Sequence, residues 1–548
     1  MLFPTTPKQR AFWLLLVILL IWFSNLDYRK LVKPDEGRYA EIPREMVASG
    51  DWTTPRLNGI KYFEKPPLQY WATASAYTLF GEHEWTTRLW SALTGLLGIV
   101  AIFYAGLRLF GKQAGFYAAL VLGSSLLYVL IGHINTLDMG VTFFMTLALV
   151  GFLLAQRDAA TPLENRVWMY ITWANLALSL LSKGLIGPVL PGAVLVIYAI
   201  LQRDFAIWKR LHLITGLAIM LVIGAPWFIA VSMHNPEFPY FFFVHEHFER
   251  FLTKVHGRFQ PWWYFVPIYL LGVLPWLVPM VDALARAWKR DAVSRFQPRR
   301  FLLVWIVFIY LFFSVSDSKL PSYILPIFPA LALLIGERLT HVSARTFLRQ
   351  TVPIAIFAAV CVWLAPSLID NASDEVPLAL YISYAKWALV AAIIWLLGSL
   401  FSLFFAYRDK RTAAIIILAL TGLVSGQLIL SGHESLAPSN SSYHIAQQIK
   451  PYIKPDTPIY SLDTYDQTLP FYIKRTVTLV RYQDELKFGL EQEPHKWIPD
   501  LNSFKQIWDE QPYALAIMPP DTYSQMEREG LPMRIIARDT RRVIVRTP

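Results

Sequence analysis

The chain has 548 residues, 55% of them hydrophobic and 16% charged, with a mean hydropathy of +0.40 and a net charge of +11. That composition excludes an ordinary soluble globular protein of this length. Much of the Lys/Arg lies in short loops between apolar runs, so the positive charge reads as topogenic and no nucleic-acid partner is expected.

The first apolar run, Ala11 to Leu26, follows Lys8 and Arg10. No small-x-small cleavage site comes after it, so it is expected to be a retained signal anchor. Behind it lies Lys33 to Trp71, KPDEGRYAEIPREMVASGDWTTPRLNGIKYFEKPPLQYW, dense in ionisable groups. A plain connection between membrane helices needs no such chemistry, and loops held by a rigid scaffold carry function. The stretch is read as the active-site loop of a membrane enzyme, within an outer segment 28–85.

Pro34 to Ala48 predicts a short helix lying on the membrane, with Tyr39, Ile42 and Met46 as its apolar stripe. Glu41, Arg44 and Glu45 are expected on its wet side, and Pro43 is expected to kink or split it. A second in-plane helix is expected to start at Pro66-Pro67 and continue from Leu68 to Phe80. Asp35 suits a helix N-cap and also an active-site acid; the two roles are compatible. Glu64-Lys65 reads equally as the charged end of a loop.

About thirteen membrane helices follow from apolar runs near 9–27, 86–108, 113–131, 136–156, 166–182, 185–202, 210–231, 262–284, 301–317, 321–338, 350–368, 379–406 and 412–431. Alternate connections are basic: Arg108 and Lys112; Arg203, Lys209 and Arg210; Arg286 to Arg300; Arg338 to Arg349; Arg408, Lys410 and Arg411. Opposite loops hold isolated cations such as Lys183 and Lys319. The basic side is then cytoplasmic, and loops 33–71 and 232–261 and everything after Gly432 are outside.

Three further outer clusters stand out. His133 to Asp138 sits at the mouth of the fourth helix, where an acid in an apolar segment is either functional or a cap. His245-Glu-His-Phe-Glu-Arg250 has two histidines and two glutamates in five residues; it suits zinc or is a solvated polar cluster. Arg250, Lys254 and Arg258 suit an anionic lipid head group. Ser316 to Tyr323 brings Lys319 and Tyr323 to a short loop, as phosphate contacts or interface anchors.

Beyond Gly432 the long apolar runs stop. Strand-like pieces at Pro458–Leu462, Thr476–Val480, Tyr513–Met518, Met533–Ala537 and Arg542–Arg546 alternate with helix-like pieces at Asn440–Ile449 and Thr522–Gly530. The division expected is a transmembrane domain over 1–432 and a small α/β domain over 433–548. The one cysteine, Cys361, lies in an apolar run and leaves no intramolecular disulfide and no cysteine-ligated zinc site. Nothing resembles a P-loop or a dinucleotide fingerprint, so no nucleotide is expected.

DEGRYAEIPREMVASGDWTTPRLNGIKYFEKPPLQYW closely resembles the first outer loop of bacterial polyprenyl-phosphate-dependent glycosyltransferases of the GT-C type, above all the family that transfers 4-amino-4-deoxy-L-arabinose to lipid A. HINTLD and SKLPSY support the resemblance. It implies an all-α membrane bundle of about thirteen helices, with periplasmic in-plane helices and a small periplasmic C-terminal α/β domain. It implies transfer of the sugar from undecaprenyl phosphate to a lipid A phosphate, with Asp35 and Asp138 as the functional acids. Lys65 and Arg250 become donor-phosphate contacts. Arg38, Tyr39 and Tyr62, with Lys319 and Tyr323, complete the substrate-binding set, and Glu64 and His245 become ligands of a divalent metal such as zinc. The location implied is the bacterial inner membrane, with the chain working as a monomer among membrane lipids.

Relatives that mannosylate proteins share the plan, so an acceptor hydroxyl on a protein or glycan is the alternative. A phosphate acceptor, with a second pKa of about 6, is largely ionised at neutral pH and needs no strong base; a hydroxyl needs one such as Asp35. A lipid transporter is disfavoured because the acids cluster at one face, away from the midplane where transporter sites lie. A purely structural assembly role leaves the loop chemistry unexplained.

Overall fold

The computed structural model describes residues 7–249, 260–291 and 294–548. Each of the thirteen predicted segments coincides with a helix or with a pair of helices meeting at a bend. In chain order they are α1 (Pro7–Phe23), α4 (Glu84–Phe110), α5 and α6 (Lys112–Ser124, Leu126–Gly132), α7 (Leu137–Gln156), α8 (Pro162–Lys183), α9 (Ile186–Gln202) and α10 (Leu213–His234). After these come α12 and α13 (Phe265–Gly272, Leu277–Ala287), α14 (Pro298–Val315), α15 (Phe328–His341), α16 (Ala344–Leu364), α17 (Leu378–Tyr407) and α18 (Arg411–His433). Eight helical spans among the described residues are long and apolar enough to cross a membrane, or ten if each bent pair is one span.

The two bends are a departure from the single spans expected. The α5/α6 axis turns by 64° and the α12/α13 axis by 108°. Pro275 lies at the second bend and has no N–H to continue a helix. The two breaks brace each other, because the Leu126 N–H donates to the Leu274 carbonyl at 3.1 Å. Backbone groups freed in an apolar interior are thereby satisfied by protein.

Between α1 and α4 lie α2 (Asp35–Ser49), the hairpin β1 and β2 (Arg56–Leu57, Ile60–Lys61) and α3 (Leu68–Phe80). The second predicted helix therefore starts where the two prolines place it. The first is continuous through Pro43 and ends at Gly50, whose φ of +74° suits glycine. Its expected wet side is buried: Glu41, Arg44 and Glu45 are 0%, 7% and 9% exposed. Arg44 grips Glu41 through two hydrogen bonds of 2.7 and 2.5 Å, and the Gly59 N–H donates to Glu45 at 2.8 Å. Burial, and then the neighbouring Glu41 carboxylate, raise Glu45 well above the ordinary carboxylate range.

The C-terminal domain covers that side. Its strands are β3 (Ile459–Leu462), β4 (Thr478–Val480), β5 (Trp497–Ile498), β6 (Leu515–Met518), β7 (Arg534–Arg538) and β8 (Val543–Arg546). They form one sheet in the order β5-β4-β3-β6-β8-β7, parallel from β5 to β6 and antiparallel where β8 joins β6 and β7. Five of the six were predicted; β5, two residues long, carries too little periodicity to be seen. Side chains alternate across a strand. Ile459, Leu479, Leu515, Ile517 and Ile544 pack in one cluster with Tyr39, Ile42 and Met46 of α2. Tyr460, Leu462, Val480, Met518, Val543 and Val545 form a second core with Phe504 and Trp508 on the far face. The helix Leu469–Ile473 of this domain lies on α2 and shares that cluster with the sheet, so the in-plane helix is a buried middle layer. Approach is closest at Gly37, where a Cβ would stand 2.5 Å from the carbonyl carbon of Gln467. Tertiary packing on every side is what carries α2 through Pro43 against its local cost of about 3 kcal/mol.

Candidate active site

Asp35 is the first residue of α2 and follows Pro34, which occupies the cap position; no side chain caps the helix. Its carboxylate accepts from Arg38 Nη1 at 3.0 Å and is about one third exposed. Arg38 also pairs with Glu485 of the C-terminal domain, and its guanidinium lies 5.7 Å from the Tyr39 ring and 5.9 Å from the Tyr62 ring. Burial raises the Glu485 carboxyl above its ordinary value even beside Arg38. The buried hydroxyls of Tyr62 and Tyr70 have no hydrogen-bond partner among the described residues.

Asp138 lies in the first turn of α7, a helix buried along nearly its whole length. Lys183 donates to Asp138 Oδ1, and Ser322 Oγ donates to Oδ2 at 2.9 Å. Local sequence puts Lys183 there. A capping box of Thr161 and Glu164 starts α8, and Gly184 with φ +89° ends it one residue past the lysine. The Lys183 ammonium also stands 4.5 Å from the centre of the Tyr323 ring, and the Asp35 charge is within its electrostatic reach.

Lys65 donates to the Glu64 carbonyl at 2.8 Å and to Glu246 at 3.2 Å. Glu246 and His245 belong to α11 (Tyr240–Glu249), wound as a π-helix, and the His245 ring stacks on Phe241 at 5.2 Å. Glu64, Lys65, Lys183, Glu246, Ser316 and Tyr323 line a cleft of about 150 Å³ with an apolar wall of Ile186, Phe312 and Phe313. Cations and an apolar wall in one cleft suit an anionic head group on a lipid.

Tertiary structure thus gathers Asp35, Arg38, Tyr39, Tyr62, Glu64, Lys65, Asp138 and Tyr323 in one region. Lys319 is directed elsewhere: it is buried and donates to the Gln260 carbonyl at 2.7 Å. Arg250 lies outside the described residues, as do Lys254, Arg258 and the side chain of His247. Among the described residues no group of three His, Cys, Asp or Glu side chains is placed to hold a metal. His133 belongs to the core, fully buried, with ring nitrogens 2.6 Å from the Val129 carbonyl and 2.8 Å from Gln427 Nε2.

Sequence reading passed over Lys183 and Glu485 as site residues, and took Glu246 as part of a zinc or solvated cluster, not as the partner of Lys65. Lys183 did carry a signal, as a lone cation ending an apolar helix. Glu485 carried none, being one charge among many in a polar domain.

With this geometry in hand, comparison places the chain among known proteins. Residues 445–547 match the aminoarabinose transferase C-terminal domain, and residues 9–242 match the dolichyl-phosphate-mannose-protein mannosyltransferase family. An undecaprenyl phosphate-alpha-4-amino-4-deoxy-L-arabinose arabinosyl transferase of Proteus mirabilis is 35% identical over 77% of this chain and 72% of its own length. Its counterpart in Aeromonas salmonicida is 36% identical over 69% and 71%. The crystal structure of ArnT from Cupriavidus metallidurans bound to undecaprenyl phosphate superposes with a TM-score of 0.94 at 40% identity, covering 99% of this chain and 98% of that one.

Proposed function

The chain belongs to the aminoarabinose transferase family, and from that premise we propose how its site moves 4-amino-4-deoxy-L-arabinose from undecaprenyl phosphate to a phosphate of lipid A. The protein is a multi-pass membrane glycosyltransferase of the GT-C type, assigned to lipid A modification and polymyxin resistance. All thirteen helical segments cross the inner membrane in this reading, with the N-terminus cytoplasmic. The alternation of basic loops supports that topology. It puts the cleft, α2, α3 and the C-terminal domain in the periplasm, and the protomer acts alone.

One observation carries the reading: the cleft holds Lys65 and Lys183 beside Glu64 and Glu246, with Asp138 gripping the Lys183 ammonium. An oxygen of the acceptor phosphate attacks the anomeric carbon and forms the new C–O bond. The bond from that carbon to the lipid phosphate breaks, and its electron pair leaves with undecaprenyl phosphate. Charge grows on the departing phosphate as the bond opens, so nearby ammonium groups stabilise the transition state more than the ground state. Lys65 supplies one such group and Lys183 the other; Arg250 is assigned to the same phosphate. Asp35, on the exposed lip of α2, orients the incoming sugar or acceptor, and Asp138 holds the Lys183 ammonium in place. Arg38, Tyr39 and Tyr62 form the wall against which the sugar ring lies.

A divalent cation would be held by Glu64 and His245, a carboxylate and an imidazole, with no third His, Cys, Asp or Glu placed to join them among the described residues. When bound, such an ion neutralises phosphate charge. Elemental analysis is expected to find about one equivalent of zinc, and chelation is expected to weaken undecaprenyl phosphate binding about tenfold or more. Unchanged lipid binding by metal-free enzyme removes the ion from the site.

Mass spectrometry of lipid A decides the acceptor. Cells expressing the protein should carry a pentosamine on a lipid A phosphate, and cells lacking it should not. Lipid A unchanged by deletion turns the acceptor into a hydroxyl on protein or glycan, for which Asp35 is then the base.

A further inference from the structure

Arg88 of α4 is wholly buried and uses every N–H it has. Nε and Nη2 donate to Glu36 at 2.7 and 2.8 Å. Nη1 donates to the carbonyls of Leu26 and Arg29 at 2.7 and 2.6 Å, and Nη2 also to Lys30 at 3.0 Å. Glu36 is saturated in turn: besides Arg88 it accepts the Asn135 N–H and the Val32 N–H, each at 3.0 Å. Burial pushes the Glu36 carboxyl up, but Arg88 outweighs it and holds the carboxyl at about 2. It stays ionised and has no lone pair left for substrate.

The place of this knot gives it meaning. Glu36 follows Asp35 directly, and Asn135 stands three residues before Asp138. Gln69 of α3 grips the same turn by donating to Asn135 Oδ1 at 2.7 Å. Asp35 and Asp138 lie on elements about a hundred residues apart in sequence. Among the described residues, the Glu36 carboxylate joins the two directly.

We propose that Arg88 and Glu36 are positioning residues that set the separation of Asp35 and Asp138 by tying the start of α2 to the turn before α7. The inference rests on the reading of those two acids given above. A pair that sets geometry acts on turnover more than on donor binding, since a misplacement of about 1 Å costs about 10²-fold in rate.

The test uses the full-length protein in nanodiscs, with Glu36→Gln, Arg88→Lys and the milder Gln69→Ala, beside Asp35→Asn. Undecaprenyl phosphate binding counts competent sites, and turnover is expressed per competent site. Glu36→Gln and Arg88→Lys are expected to lose roughly 30- to 100-fold in kcat per site, with donor KM within about threefold. Gln69→Ala is expected to lose a few fold. Activity that falls only in step with the number of competent sites, including to none, assigns the pair a merely structural role and overturns the inference. Normal kcat per site in Glu36→Gln beside a dead Asp35→Asn also overturns it alone. Normal turnover in Asp35→Asn sinks the reading of the acids as well.

Discussion

Asp35→Asn is expected to lower transfer by about 10³-fold, within the range that general acid–base and orienting groups contribute, while the protein still folds and binds undecaprenyl phosphate. Asparagine has the same shape and suits a helix start, and Pro34, not Asp35, holds the cap position. Among the described residues Arg38 is the one ion-pair partner of Asp35, and Arg38 keeps Glu485 when the charge is gone. The side chain is about one third exposed, so the lost interaction with the helix dipole and Arg38 costs about 1 kcal/mol. Folding and function are therefore separable at this position. The check is turnover per folded molecule, with thermal stability recorded alongside. A variant with near-full turnover reduces Asp35 to a first-turn charge.

Lys183→Ala is expected to be damaging in two ways. It strands the Asp138 carboxylate in a site where both side chains are 10% exposed, with Ser322 as the remaining hydrogen-bond donor. Breaking a buried pair by removing one partner costs about 3–5 kcal/mol, so the yield of folded protein should fall sharply. The double variant Lys183→Ala with Asp138→Asn removes both charges and should recover much of that stability. Turnover should nevertheless stay at least about 100-fold below wild type, because the cleft has lost a cation facing the leaving phosphate. Comparing stability with turnover across the two variants separates the roles. A stable and active double variant shows that the pair only holds α7 against α8.

The apolar segments were legible because a bilayer requires about 20 apolar residues per crossing whatever the chain does elsewhere. The breaks at Ser125 and Pro275 were less so. A proline marks a weak point, but the bend depends on another backbone being there to take up the freed groups, as Leu274 does for Leu126. The motif 34–71 pointed to Asp35, Glu64 and Lys65 because chemistry-bearing residues crowd a loop where none are needed. The amphipathic reading of α2 failed at Glu41, Arg44 and Glu45. Periodicity reports which faces of a helix differ; it cannot report that a domain some 400 residues later covers the polar face, with Arg44 pairing Glu41 inside.

By itself, then, the sequence determined the positions and order of the apolar segments, the change to an α/β domain after Gly432 and the loop that carries Asp35, since each rests on local composition and spacing. Tertiary structure alone decided that α2 is a buried layer under the C-terminal domain, that Glu485 reaches Arg38, that Lys183 answers Asp138, and that Arg88 and Glu36 tie the two acid-bearing elements together. These are pairings between charges far apart in the chain. In a low-dielectric interior every buried charge must find a partner, but its own neighbourhood in sequence does not say which.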